Sequence, residues 1–454
     1  MRLALELALA RSAGRLSRLA GRGGGTTLPG KLLATIDPGA VAALAARLPQ
    51  GAAIVSATNG KTTTAAFVAS ILSPRIRLAH NSSGANLVSG VASTLLEARG
   101  AELGLFEVDE GAFPDVARRI RPRAVCLGNL FRDQLDRYGE LEQIAERWRA
   151  AVRDLPAESV LLVNGDDPQV GDLATEHPNA VTFGLDDPSQ ARPSLQHAAD
   201  AKYCIRCGTP YDYAAAYVGH LGDYRCPACG HGRPPLRVVA RNVSLEGLEA
   251  ASFDLVAPEG TRRVRIGLPG LYNVYNALAA SALSGALGAS LDEIAAGLAA
   301  ARPAFGRFER IDLGDRGVLL LLVKNPAGAN EIVRTLVTGG APSTAVIALN
   351  DAIADGRDVS WIWDVDFEPL LDGLERLVVS GERAAELALR CTYAGMPESS
   401  IEVVPPLERA LDRGLELVGP GGELTVLPTY TAMLALRRIL AGRGHVPQYW
   451  ERAA

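Results

Sequence analysis

The sequence predicts an α/β protein of two lobes, with a small thiolate-bound ribbon inserted in the first. Three observations carry this. An apolar run, Ala52 to Val55, leads into Thr58-Asn59-Gly60-Lys61-Thr62-Thr63, a small-residue turn that opens a segment with helical spacing. Four of the six cysteines fall into two CxxC pairs. Beyond about residue 312, short apolar runs alternate with helical patterns, as in a doubly wound sheet. A length of 454 residues suits two or three domains, and a hydrophobic content of 48% suits sizeable cores. A formal charge of −5 gives no basic footprint for nucleic acid.

The first element is a basic amphipathic helix over residues 1–22, in which Arg and Glu interrupt any export-signal core. Such a helix packs on the body of the protein or touches an anionic membrane face. Gly23 to Gly30 reads as a linker, and residues 31–50 as a helical lead-in. No apolar run is long enough to span a bilayer.

The strand, turn and helix at 52–72 form a phosphate cradle. Backbone N–H groups at a helix N-terminus face an anion, Lys61 adds a point charge, and Thr62 offers a hydroxyl to Mg²⁺. The general phosphate-loop pattern has Gly five residues before Gly60, where this chain has Val55. A polar stretch, His80 to Asn86, reads as a turn or as lining for the phosphate site.

Leu103 to Val108 is a buried strand ending in Glu107-Val108-Asp109-Glu110. Carboxylates at the carboxyl end of a parallel strand stand at the ligand-binding edge of an open sheet and can hold the Mg²⁺ that bridges phosphates. Glu107 is the expected ligand beside Thr62, with Glu110 as a further candidate. Ala124 to Asn129 is the next strand, and Leu161-Leu162-Val163-Asn164-Gly165-Asp166-Asp167-Pro168 a strand followed by an Asp-Pro turn.

Cys204 and Cys207 are separated from Cys226 and Cys229 by eighteen residues. Four thiolates at this spacing complete a closed tetrahedral Zn²⁺ site. The functional reading is nucleic-acid contact, and the bland one a structural staple. Few Lys or Arg lie between the pairs, which favours the staple. His231 is a possible competing ligand. Cysteines so used suit a reducing cytosol.

The second lobe is expected from Gly317 to the final helix, with strands near Gly317–Val323, Ala345–Leu349, Arg376–Val379 and Glu423–Leu427. Helices are expected near Asn330–Val337, Glu382–Arg390 and Thr431–Ala441. After the second of these strands, Asn350 to Trp361 gathers three carboxylates, Arg357 and Trp361 within eleven positions, more than a solvated loop needs.

Several segments resemble the Mur ligase superfamily. The variant T-N-G-K-T-T is similar to its ATP loop. Asn129 to Gly139 is similar to its T-N-x-x-x-D-H-L-D-x-x-G pattern, with Gln134 where a metal-site His is usual. Asn164 to Pro168 is similar to its N-A-D-D-P, and Gly270 to Ala280 to a helix start bearing Asn273 and Asn276, with Tyr272 in place of a His. Phe305 to Glu309 matches G-R-x-E, and Lys324-Asn325-Pro326 stands where the superfamily has D-x-A-H-N-P. The joint order of N-L-F-R-D-Q-L-D, the Cys₄ insertion, K-N-P-A-G-A-N and N-D-x-x-A-D-G-R-D-x-S-W narrows the resemblance to the MurT family, over nearly the whole chain.

The resemblance implies a domain order: a lead-in at 1–48, a central ATP-binding domain at 49–312 with a zinc ribbon at 200–234, and a Rossmann-like domain at 313–454. It implies that Thr58, Asn59, Gly60, Lys61 and Thr63 hold phosphates. It also implies that Asn164, Asn273, Asn276 and Arg307 complete the nucleotide site. Arg suits a phosphate because its fork is always charged and binds bidentately. Asp358, then Asp355, are the expected catalytic carboxylates, with Lys61. The implied reaction is amidation of the D-glutamate α-carboxylate in lipid II, through an acyl phosphate, at the inner face of the cell membrane. No glutaminase nucleophile is evident, so a class I glutaminase subunit of the GatD type is the implied partner. Two rivals remain: a ligase that adds an amino acid, like folylpolyglutamate synthase, and a zinc-ribbon nucleotidase that binds nucleic acid.

Overall fold

The computed structural model describes residues 27–82, 84–133, 140–196, 199–302 and 307–447. The expected helix at 1–22, Gln134 and the Arg307 side chain lie outside the described residues.

The larger sheet has nine strands: β1 (Ala52–Ser56), β2 (Leu78–His80), β3 (Leu103–Val108), β4 (Ala124–Leu127), β5 (Val160–Asn164), β6 (Ala180–Leu185), and β9 to β11 (Val238–Glu246, Ala250–Ala257, Gly260–Ile266). Their order is β11-β10-β9-β6-β5-β4-β1-β3-β2. The strands from β2 to β9 pair in parallel, and β10 and β11 extend the sheet antiparallel. Strands β1, β3 and β4 are buried at every position, the continuous apolar run that a parallel sheet covered on both faces requires. One face packs on helices Lys61–Leu72 and Leu271–Ala286; Trp148 and Phe113 lie in the core of the other.

Between β6 and β9 the chain leaves the sheet to form the ribbon, which carries the hairpin β7 (Asp212–Val218) and β8 (Leu221–Arg225). The second sheet has β12 (Arg307–Asp312), β13 (Gly317–Leu321), β14 (Thr344–Ala348), β15 (Arg376–Ser380), β16 (Ile401–Val403) and β17 (Glu423–Pro428), in the order β12-β13-β17-β14-β15-β16. All pairings but β12–β13 are parallel. This sheet begins at Arg307, ahead of the boundary expected near Asp312.

Two expectations change. The stretch read as a linker to Gly30 is already helical from Leu28, with Pro29 in the first turn. Gly30 lies against the helix Val88–Glu97, where a Cβ would stand 1.9 Å from Ser89 O. The helix expected from Asn330 begins at Pro326, because Asn325 caps it by accepting from Gly328 N at 2.9 Å. No helix among the described residues is long and apolar enough to cross a membrane.

Candidate active site

The phosphate loop joins β1 to the helix Lys61–Leu72, and Gly60 makes the turn. Its φ of +89° is left-handed, and a Cβ there would stand 1.9 Å from Asn276 Oδ1. Glycine is therefore required twice, for the backbone angle and for the approach of the helix Leu271–Ala286. Asn276 Nδ2 donates to Asn273 Oδ1 at 3.0 Å, and Asn273 Nδ2 to Pro269 O at 2.7 Å, so the two asparagines are fixed as one unit.

Lys61 is almost wholly buried beneath the loop. Its ammonium donates to Ala57 O at 2.5 Å, Thr58 O at 3.2 Å and Glu110 Oε2 at 2.8 Å. Burial opposes its charge, but Glu110, with Asp109 behind it, reverses that and raises its pKa. Burial likewise opposes the Glu110 carboxylate, while Lys61 and Lys324 bring its pKa below the usual range. Glu110, expected as a further Mg²⁺ ligand, is thus the counter-ion of Lys61.

Thr62 Oγ1 donates to Glu107 Oε1 at 3.0 Å. Asn81 holds the Glu107 backbone from both sides, accepting from its N–H at 2.9 Å and donating to its C=O at 2.7 Å. The remaining oxygen, Glu107 Oε2, is buried with no hydrogen-bond partner among the described residues. A hydroxyl beside a carboxylate with one orphaned oxygen fits Mg²⁺, which takes few protein oxygens and keeps several waters.

The loop after β4 braces the phosphate loop. Asn59 N donates to Asn129 Oδ1 at 2.9 Å, and Asn129 Nδ2 to Asn59 O at 3.0 Å. Thr58 Oγ1 accepts from Phe131 N at 3.1 Å. From the second lobe, Asn325 exchanges two amide hydrogen bonds with Asn59, at 3.0 and 3.2 Å. Lys324 Nζ reaches Asp133 Oδ2 at 2.5 Å. These contacts border a cleft whose lining includes Asn59, Gly60, Thr63, Asn273, Asn276 and Lys324. Its apolar walls come from Leu268, Tyr272, Phe308 and Leu321, and from Val218 and Leu221 at the ribbon hairpin.

Asn164 lies under the loop rather than in this cleft, its Oδ1 accepting from Asp166 N at 3.1 Å. Asp358 is exposed on the loop after β14, where it accepts from Ser360 N at 2.8 Å. Asp355 is buried, and its two oxygens accept from Thr431 N at 2.7 Å and Thr431 Oγ1 at 2.5 Å. It ties its loop to the first turn of the helix Tyr430–Gly442. Sequence reasoning missed Asp133, Lys324, Asn129 and Asn325 as site residues. The signal was a polar run at the end of each of two strands.

The four ribbon thiols all lie within 4.8 Å of one another, with Cys204–Cys229 at 3.5 Å and Cys207–Cys226 at 3.4 Å. A Zn–S bond of about 2.3 Å gives tetrahedral edges of about 3.8 Å, so the set fits one Zn²⁺. His231 is not part of it: its ring nitrogens meet Tyr211 Oη at 2.7 Å and Asp172 Oδ1 at 3.2 Å.

A phosphate loop on a parallel sheet, a metal-ready Thr–Glu pair and a second α/β lobe closing the cleft define an ATP-dependent ligase of the Mur type. The Mur ligase middle domain model matches residues 55–214, and the MurT ligase C-terminal model residues 322–433. The chain belongs to the MurT family. It is 35% identical over 435 residues to the lipid II isoglutaminyl synthase (glutamine-hydrolyzing) subunit MurT of Streptococcus pneumoniae, covering 94% of each chain. To the protein of the same description from Staphylococcus aureus strain N315 it is 31% identical, over 95% of this chain and 96% of that one. In fold it is similar to a pseudomurein peptide ligase type C from Methanothermus fervidus, with a TM-score of 0.70, 20% identity, and coverage of 88% of this chain and 80% of that one.

Proposed function

We propose that the chain is the synthetase subunit of a lipid II isoglutaminyl synthase, organised as a lead-in (1–48), a central ATP domain (49–312) with the ribbon at 200–234, and a C-terminal domain (313–454) whose sheet also takes in β12 of the preceding stretch. It amidates the α-carboxylate of D-glutamate in the stem peptide. The observation that carries this is the near full-length similarity to MurT subunits, joined to a phosphate loop that faces an inter-lobe cleft.

A carboxylate does not react with ammonia directly. Its oxygen first attacks the γ-phosphorus of ATP, displacing ADP and giving an acyl phosphate; ammonia then adds to the acyl carbon, and phosphate leaves from the tetrahedral intermediate. Charge crowds at the phosphoryl group, so fixed positive groups lower the barrier. Thr58, Asn59, Gly60, Lys61 and Thr63 hold phosphates, Asn273, Asn276 and Arg307 complete the nucleotide site, and Asn164 supports the loop from beneath. Thr62 and Glu107 would hold Mg²⁺, which supplies charge neutralisation when bound. Asp358 orients ammonia or takes the proton its nitrogen sheds once bonded to the acyl carbon, and Asp355 anchors the loop that carries it. The ribbon cysteines would hold Zn²⁺.

Ammonia is scarce near neutral pH, where it is mostly ammonium. Outside the ribbon, Cys126 and Cys391 are buried, and burial raises both thiol pKa values, that of Cys391 to about 12. Neither is a ready glutaminase nucleophile. We therefore assign ammonia supply to a class I glutaminase subunit of the GatD type, and the reaction to the inner face of the cell membrane. The test is amidation of lipid II by the purified chain with ATP. Ammonium should support it and glutamine should not. Turnover with glutamine and no partner, or transfer to an amino acid instead of ammonia, would overturn the reading.

A further inference from the structure

Lys61 is folded under the phosphate loop, with its ammonium directed to two carbonyls and Glu110. Among the described residues that line the cleft, the cation is Lys324, from the second lobe. It is placed with care. Asn325, its neighbour, is locked by two hydrogen bonds to Asn59 of the phosphate loop and also caps the helix Pro326–Gly340. Residue 324 therefore cannot move relative to the loop without breaking an amide pair.

The partner of Lys324 is also notable. Asp133 is buried, and its second oxygen, Oδ1, has no hydrogen-bond partner among the described residues. Burial and Glu110 both raise its pKa against the pull of Lys324. Lys324 is thus shared between Asp133 and the open cleft it lines, and a more highly charged anion there would compete for the ammonium.

We propose that Lys324 is a catalytic residue for phosphoryl transfer, leaving Asp133 to bind the terminal phosphoryl group of ATP. This rests on the amidation reading for the identity of the acceptor only. In the step, the acceptor carboxylate oxygen bonds to the γ-phosphorus while the bond from phosphorus to the β–γ bridging oxygen breaks, its electron pair leaving on ADP. Lys324 transfers no proton. Its N–H groups stabilise the charge spread over the moving phosphoryl oxygens. Because it comes from the second lobe, the charge is delivered only when the lobes are closed.

The test is calorimetric binding of Mg²⁺ with the β,γ-imido analogue of ATP, and separately with ADP, to the full chain. Lys324→Met should reduce the preference for the triphosphate analogue over ADP by about tenfold or more, the effect of losing a charge-assisted contact. ADP affinity should stay within about twofold, since the diphosphate lacks the group Lys324 binds. Lys324→Arg should keep most of the preference. Lys324→Met/Asp133→Asn, which leaves no unpaired buried acid, should show the same loss as Lys324→Met. In ammonium-driven turnover, Lys324→Met should lower kcat with little change in the KM for lipid II. An unchanged triphosphate-to-diphosphate ratio in both Met variants would overturn the proposal. A wild type that binds nucleotide with this preference but amidates nothing would instead overturn the amidation reading and leave Lys324 standing.

Discussion

Lys61 Nζ lies 2.8 Å from Glu110 Oε2, and the two side chains are only 7% and 4% exposed. Such a pair is costly to break from one side. Lys61→Met should abolish nucleotide-dependent activity and also cost about 3–5 kcal/mol of stability, because Glu110 is left charged and buried. Lys61→Met/Glu110→Gln should recover much of that stability and none of the activity. Urea midpoints and binding of the imido analogue measure the two effects separately.

Asp358 and Asp355 lie three residues apart in sequence but differ in surroundings. Asp358 is exposed and holds one backbone N–H, so Asp358→Asn should leave stability within about 0.5 kcal/mol. If it handles ammonia as proposed, turnover should fall by about 10²-fold or more with nucleotide binding unchanged. Asp355→Ala frees Thr431 N and Oγ1 and should cost about 1–3 kcal/mol. Thermal melts and steady-state amidation assays check both.

Zinc removal should act first on the ribbon. The thiol cluster sits beside Tyr211, Tyr213, Tyr224 and His231, whose packing depends on the knuckle being closed. A strong chelator, or Cys204→Ala with Cys226→Ala, should lower the near-ultraviolet dichroism of these tyrosines and destabilise the chain. Metal analysis of the native protein should find one zinc per chain.

Asp166 gives the stability a pH dependence near the site. It is fully buried, and burial raises its pKa to about 6 despite Arg233, Leu185 N–H and the Tyr275 hydroxyl. The folded state therefore holds a proton that the unfolded chain has already lost at pH 5. Its contribution is favourable below about pH 4 and is lost as pH rises through 6. Across that window, wild type should lose about 2–3 kcal/mol relative to Asp166→Asn. Paired urea titrations at pH 4.5 and 7 read the difference.

Strands β1, β3, β4 and β5 of the first lobe and β13, β14, β15 and β17 of the second were legible because buried parallel strands write continuous apolar runs, and β3 lies where Leu103 to Val108 placed it. The phosphate loop was legible because Gly60 and Lys61 are constrained by backbone geometry and charge together. Strands β9 to β11 were not singled out: Arg241, Arg262, Arg263 and Arg265 break their apolar pattern on the solvent side, where they pair with Asp and Glu. The short β16 and the helix Leu407–Val418 escaped for a similar reason, since Glu402, Arg413 and Glu416 form a surface network there. Asn59–Asn325 and Asp133–Lys324 join residues far apart in the chain, and local spacing carries no trace of such pairs.

Parallel neighbours in a sheet are ordinarily joined by a helix that covers one face. From β6 to β9 the chain instead travels through the ribbon, and its hairpin tip reaches the cleft. Buried His220 at that tip sits 3.3 Å from Asp167 and against the ring of Phe131. Asp167 in turn accepts from Leu130 N at 2.9 Å, next to the asparagine that braces the phosphate loop. One wall of the cleft is thus carried by a segment whose base is the four-thiol cluster instead of a covering helix. With zinc held there as proposed, its loss would slacken the wall that Val218 and Leu221 give the cleft.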